Sequence, residues 1–217
     1  MRILALEASA KAASAAVCED EKCIALYYLN SASVHSVTLL PMVEDMLKGC
    51  GLNLSDMDLI AVSRGPGSFT GLRIAAAAAK GLMWGSDRPG CGVSTLEAMA
   101  RQAEHMKDRL ICCVMDARRG EVYNALFRAE GDRLTRLCPD RALSLDALMA
   151  ELDEPPLLMG DGAELCAAEM ERRGREFTLA PEHIRRQNAY GVAMAALRVP
   201  EELRESTDPV YLRLSQA

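Results

Sequence analysis

Aromatic residues are scarce, 4% of the 217-residue chain with a single Trp, so Leu, Ala, Val and Met must fill whatever core it builds. Only three histidines occur, His35, His105 and His183, and no two lie within four residues of each other. That spacing argues against a histidine-based metal centre of the kind carried on one helical turn. None of the eight cysteines, Cys18, Cys23, Cys50, Cys91, Cys112, Cys113, Cys138 and Cys166, forms a CxxC pair. Several lie inside apolar, strand-like runs, the pattern of buried free thiols in a reducing compartment rather than of a secreted disulfide framework. No run approaches the length of a transmembrane helix, and the N-terminal MRILALEAS enters a strand pattern without an apolar leader. These absences predict a soluble, cytoplasmic protein without a membrane partner. Positive charge is also short: 25 Lys and Arg against 31 Asp and Glu give a formal charge of −6. Broad, independent binding to a nucleic-acid backbone needs clustered cations, so any RNA would be met through a basic partner.

What is present reads as α/β. RILALEAS, SAAVCED and KCIALYYL have the pattern of three consecutive strands, and the polar turn at 19–22 predicts a hairpin of the second and third. VHSVTLLPMVEDMLKGCGL, from Val34, reads as a helix that ends at Gly49 or Gly51, with Pro41 predicting a kink or an irregular first turn. MDLIAVSRG is a buried strand, and a helix spans Thr70 to Trp84. STLEAMARQAEHM opens an N-capped helix with Ser94 and Glu97 in capping-box positions. Near residue 109 the pattern restarts as strand, turn, strand, turn, strand. Helices are expected at Leu143–Leu152, Ala163–Arg173 and Asn188–Leu197, with a strand in PPLLMGDGA. The restart suggests two related lobes, residues 1–108 and 109–217, although one α/β domain with accidental similarity accounts for the same pattern.

Between strand and helix lies GPGSFTG, residues 65–71. Glycines permit close backbone approach, and a helix N-terminus presents unpaired N–H groups to an anion. Gly65, Gly67, Ser68, Thr70, Gly71 and Arg73 are therefore candidates for a nucleotide-phosphate loop. The spelling is not that of a Walker A loop, and the glycine spacing comes too late in the chain for a dinucleotide fold. The alternative is purely structural: a loop tightened so that the alanine helix can lie close to a sheet.

These residues carry a resemblance. GPGSFTGLRI followed by an alanine-rich helix resembles the signature of the TsaB (YeaZ) family. ILALEAS, HSVTLLP, GVSTLEAMA, DARRGEVY, GDGA and PVYLR occur in that family's order. Two departures are Glu7-Ala8-Ser9, where the family more often has an Asp-Thr-Ser run, and Ala75, where Gly is common. The resemblance implies an actin-like, sugar-kinase-like (ASKHA) fold of two related lobes with mixed sheets and flanking helices. It implies a non-catalytic subunit needed for threonylcarbamoyladenosine on tRNA. Its partners would be a TsaD-like transferase, a TsaE-like ATPase through that complex, tRNA only indirectly, and its own copy as a homodimer when alone. No cofactor is implied. The TsaD-like relative carries a His-x-x-x-His pair in a run resembling Gly-Val-Asn-His-Leu-Glu-Gly-His; here the two positions are Thr95 and Met99.

Asp116 and Asp161 stand at strand ends, where α/β folds place chemistry, but such residues also cap turns. Cys112 and Cys113 carry no mark of an activated nucleophile. A rival function is a small nucleotide-dependent phosphotransferase of the same fold, with Glu7 and the loop handling phosphate and Mg²⁺. On a helical wheel Leu39, Leu40, Met42, Val43, Met46 and Leu47 cover roughly 160°, against about 100° for an ordinary surface helix. Either this helix is deeply buried, or one edge meets a second protein. His35, Leu39, Met42, Val43 and Met46 are the expected interface residues.

Overall fold

The first three strands are short apolar runs separated by turns: β1 (Arg2–Glu7), β2 (Ala13–Glu19) and β3 (Lys22–Leu29) form an antiparallel set. The computed structural model describes residues 1–31, 35–204 and 206–212. Val34, the first residue of the predicted helix, and Arg213 of PVYLR lie outside them. Helix α1 (His35–Cys50) runs through Pro41 and stops at Gly51, whose φ of +65° is the left-handed conformation that ends helices. The Leu52 N–H then turns back to the Leu47 carbonyl at 3.0 Å.

Strands β4 (Leu59–Gly65) and β5 (Gly90–Ser94) add parallel to β1, and α2 (Phe69–Ser86) connects them. The resulting sheet has the order β3-β2-β1-β4-β5. β5 was not legible in the sequence, because a five-residue run with two glycines carries almost no strand propensity. Its pairing with β4 makes it a strand.

Helix α3 (Thr95–Arg101) leads to the restart, β6 (Arg109–Arg118), β7 (Glu121–Ala129), β8 (Leu134–Arg136) and β9 (Arg141–Ser144). Then come α4 (Leu145–Glu151), β10 (Leu157–Met159), α5 (Ala163–Arg172), β11 (Thr178–Leu179), α6 (Glu182–Arg185) and α7 (Ala189–Leu197). The second sheet has the order β11-β10-β6-β7-β8, with β9 also on β7. Read from its other edge, that is the first sheet's order with β8 and β9 together in the place of β3. Within each sheet the first two strands are antiparallel and the last two add in parallel. Leu143, expected in a helix, lies in β9; α4 begins after Ser144, whose Oγ accepts from the Ala147 N–H at 3.1 Å.

The chain divides into two compact units, but not by a single cut near 108. The first comprises Met1–Ala98 and Asn188–Tyr211; the second is built on Met99–Gln187. The cause is α7. Seven of its nine residues are buried, so it is apolar all round and must lie inside a core. It packs on one face of the first sheet, against Ile3, Ala5, Ala16, Leu59 and Val93. The other face, with Leu4, Leu6, Val17, Ile60 and Val62, is covered by α1 and α2. The alternation along β1 feeds both layers.

Candidate functional site

The glycine loop links β4 to α2, and its close approaches are to the protein's own backbone. A Cβ on Gly67 would stand 2.5 Å from the Ser9 carbonyl oxygen, and one on Gly71 would stand 2.0 Å from that of Ala8. Gly65 lies equally close to Val210, whose N–H donates to the Arg64 carbonyl at 2.7 Å. Only glycine tolerates such proximity. The Ser68 N–H donates to the Ser9 carbonyl at 2.7 Å, and the Ser68 hydroxyl caps α2 by accepting from the Gly71 N–H at 3.3 Å. Two donors that a phosphate would use are thus turned inward.

Arg73, the candidate cation, is occupied as well. Its guanidinium lies 3.7 Å from the Phe69 ring centroid, and its Nε donates to the Tyr211 hydroxyl at 3.1 Å. Phe69 and Tyr211 have ring centroids 4.9 Å apart. The arrangement clips the segment leading to Tyr211 onto α2, reinforced by the Lys80–Asp208 ion pair. Of the loop candidates, Ser68, Thr70 and Arg73 are exposed.

The carboxyl end of the first sheet is polar. Glu7 is buried, and its Oε1 accepts from the Ser9 N–H. Ser14 Oγ accepts from the Ala189 N–H at 3.0 Å, tying β2 to the start of α7. The hydroxyls of Ser9, Ser63 and Thr95 are buried without a hydrogen-bond partner among the described residues. Thr95 and Met99, the positions that correspond to the histidine pair, are both fully buried. Among the described residues, no three His, Cys, Asp or Glu side chains gather as metal ligands would.

In the second unit, Asp116 accepts from the Arg118 N–H at 2.7 Å and pairs with its guanidinium at 3.2 Å, capping the turn of its own hairpin. Asp161 accepts from Gln187 Nε2 at 3.0 Å. Burial holds its carboxyl above the usual range, and the charge of Asp116 adds to that. Burial likewise pushes the Cys112 and Cys113 thiols far up, so neither is a nucleophile at neutral pH.

On α1 the structure divides the predicted interface. Leu39, Val43 and Met46 are core side chains packed on Leu4, Leu6, Ala15 and Val17. None of the three is available to a partner, which corrects that part of the expectation. The wide apolar arc is real, but its outer edge is Val37 at 70% exposure and Leu40 at 47%, while half-buried Met42 bounds the arc on its opposite side. His35 is half-buried and its Nε2 meets the Ala10 carbonyl at 2.8 Å. Leu26, Tyr27, Tyr28 and Leu29 of the edge strand β3 are also exposed. The sequence reading missed them because a strand's alternation does not reveal which strand ends the sheet.

Two sheets of one strand order, flanked by helices and carrying a closed glycine loop, define an actin-like, sugar-kinase-like α/β protein. The model of the family described as TsaD: tRNA N6-adenosine threonylcarbamoyltransferase matches residues 30–192. The chain is 36% identical over 168 residues to the tRNA threonylcarbamoyladenosine biosynthesis protein TsaB of Bacillus subtilis (strain 168), covering 76% of this chain and 73% of that one. It is 40% identical over 131 residues to the protein of the same name from Escherichia coli (strain K12), covering 60% of this chain and 56% of that one. The solved YeaZ from Pseudomonas aeruginosa superposes with a TM-score of 0.76 at 27% identity, over 97% of this chain and 99% of that chain. The chain belongs to this family and, within it, to the TsaB (YeaZ) proteins.

Proposed function

We propose that the chain is a non-catalytic partner subunit in making threonylcarbamoyladenosine on tRNA, acting in the cytoplasm. It binds a TsaD-like transferase, and a TsaE-like ATPase and the tRNA are engaged through that complex. The observation that carries this reading is family membership joined to the side chains at 95 and 99. A hydroxyl and a thioether, both inside the core, are poor substitutes for two imidazole ligands. The inward-turned loop supports the same reading: it serves as a clamp for β1 and α2 rather than as a phosphate cradle.

The partner surface is the outer edge of α1, Val37 and Leu40; the exposed apolar residues of β3 are a separate patch, with Tyr27 lying by Gly49 on the other side of the helix. An apolar patch on an acidic protein calls for a partner, and without the transferase the same patch pairs with its own copy about a two-fold axis. Co-purification with a TsaD-like subunit, paired with sedimentation of the chain alone, tests this. The expected result is a homodimer that converts to a heterodimer, with Val37→Glu/Leu40→Glu folded but defective in both. A double variant that associates normally overturns the surface. A chain that makes threonylcarbamoyladenosine without the transferase, or turns over ATP alone, overturns the non-catalytic role.

A further inference from the structure

The β2–β3 hairpin holds two cysteines in a relation that their sequence spacing does not reveal. Cys18 and Cys23 stand directly opposite each other on antiparallel strands, one rung inside the Glu19–Lys22 pair that closes the turn. A bulge between Val17 and Cys18 shifts the register by one; without it Cys18 would face Ile24. Opposed residues in antiparallel strands have Cα atoms about 4.5–5.5 Å apart, inside the roughly 4.4–6.8 Å that a disulfide spans. Cys18 is fully buried beside Ala16 and Ile3, whereas Cys23 is exposed. We propose that Cys18 and Cys23 are a reversible redox modification site, closed as a cross-strand disulfide by small-molecule disulfides.

The asymmetry of the pair sets the order of events. Cys23, the exposed thiol, attacks one sulfur of the incoming disulfide as its thiolate, forming a mixed disulfide and releasing one small thiol. Cys18 then loses its proton and attacks the Cys23 sulfur, breaking the mixed bond and releasing the second small thiol. Two protein thiols lose two electrons and two protons, and the small disulfide becomes two thiols. Burial pushes Cys18 up to about 12 and Cys23 upward too, so closure is slow at neutral pH and speeds up toward alkaline pH. The charged groups about the pair are Glu19, Asp20, Glu21 and Lys22 of the turn, the amino terminus bonded to Asp20, Arg2 paired with Glu19, and Arg198, which reaches Glu21 from α7. Cys112, Cys113 and Cys166, by contrast, are all buried and offer no thiol for the first step.

The experiment uses the full, folded chain with oxidised glutathione at mildly alkaline pH, followed by alkylation of remaining thiols and digestion. Trypsin cuts after Lys22, so a linked pair of peptides reports the bond directly. Expected are a Cys18–Cys23 link, its loss on reduction, and accumulation of a glutathione adduct on Cys23 in Cys18→Ala. Wild-type chain in which Cys23 stays unmodified, keeps its glutathione, or links to a cysteine other than Cys18 overturns the proposal. The wild-type measurement decides it even if Cys18→Ala fails to fold.

Discussion

At Gly71 a side chain has nowhere to go. Its Cβ would meet the Ala8 carbonyl, which belongs to the backbone just beyond β1 and cannot swing away. Gly71→Val should destabilise the protein by about 3 kcal/mol. Gly81, in the same helix, has nothing within 4 Å of its Cβ position, so Gly81→Ala should stabilise by up to about 1 kcal/mol. Urea denaturation of the two variants separates a glycine needed for approach from one that is merely helical. Asp161 gives a second residue-scale test. Its folded pKa lies above the ordinary 3.8 because of burial, so ionising it opposes folding. The penalty begins as pH rises past the unfolded value and is complete above the folded one. Asp161→Asn, which keeps an oxygen for Gln187, should therefore raise Tm at pH 7, and the difference from wild type should close at acid pH. A difference that is constant with pH would mean the charge is not its cause.

Helix α1 has two apolar jobs on different sides. Met46 is wholly buried on the first sheet, and Met46→Asp would bury an unpaired charge there. A loss of at least about 3 kcal/mol is expected. Leu40→Asp, on the outer edge, should change stability by less than about 0.5 kcal/mol. If the outer edge carries the association, Leu40→Asp shifts sedimentation toward the monomer while its denaturation curve overlays that of wild type. The wheel alone could not separate these roles. Six apolar positions over roughly 160° say only that more than one surface is covered.

On the scale of the whole chain, α7 is the element whose loss should be felt most. It completes a core begun at the other end of the sequence, since the Ala189 N–H donates to Ser14 Oγ, 175 residues earlier, and Val192 and Ala193 pack beside Ile3 and Ala5. Burying even two or three such side chains is worth several kcal/mol, comparable to the total stability of a domain at about 5–15 kcal/mol. A chain truncated after Gln187 should fail to accumulate in soluble form, as expression and circular dichroism would show. The division near residue 108 that the restart of strands predicts misses this return, because periodicity marks what an element is and not which sheet it joins.

By itself the sequence determined the local choices. Short apolar runs bounded by turn residues marked β1, β2 and β3; the glycines at 49 and 51 marked the end of α1; the repeated strand pattern announced two related lobes. GPGSFTG identified the family because its glycines answer a backbone constraint that other residues cannot meet. The tertiary structure decided what each shared signal was used for. Only neighbours in space could show the loop closing on Ser9 and Ala8, Asp116 capping its own turn, Leu39 and Met46 lying inside while Leu40 lies outside, and Cys18 facing Cys23. Burial and pairing are properties of what surrounds a residue, and those surroundings come from parts of the chain that the residue's own neighbours in sequence do not specify.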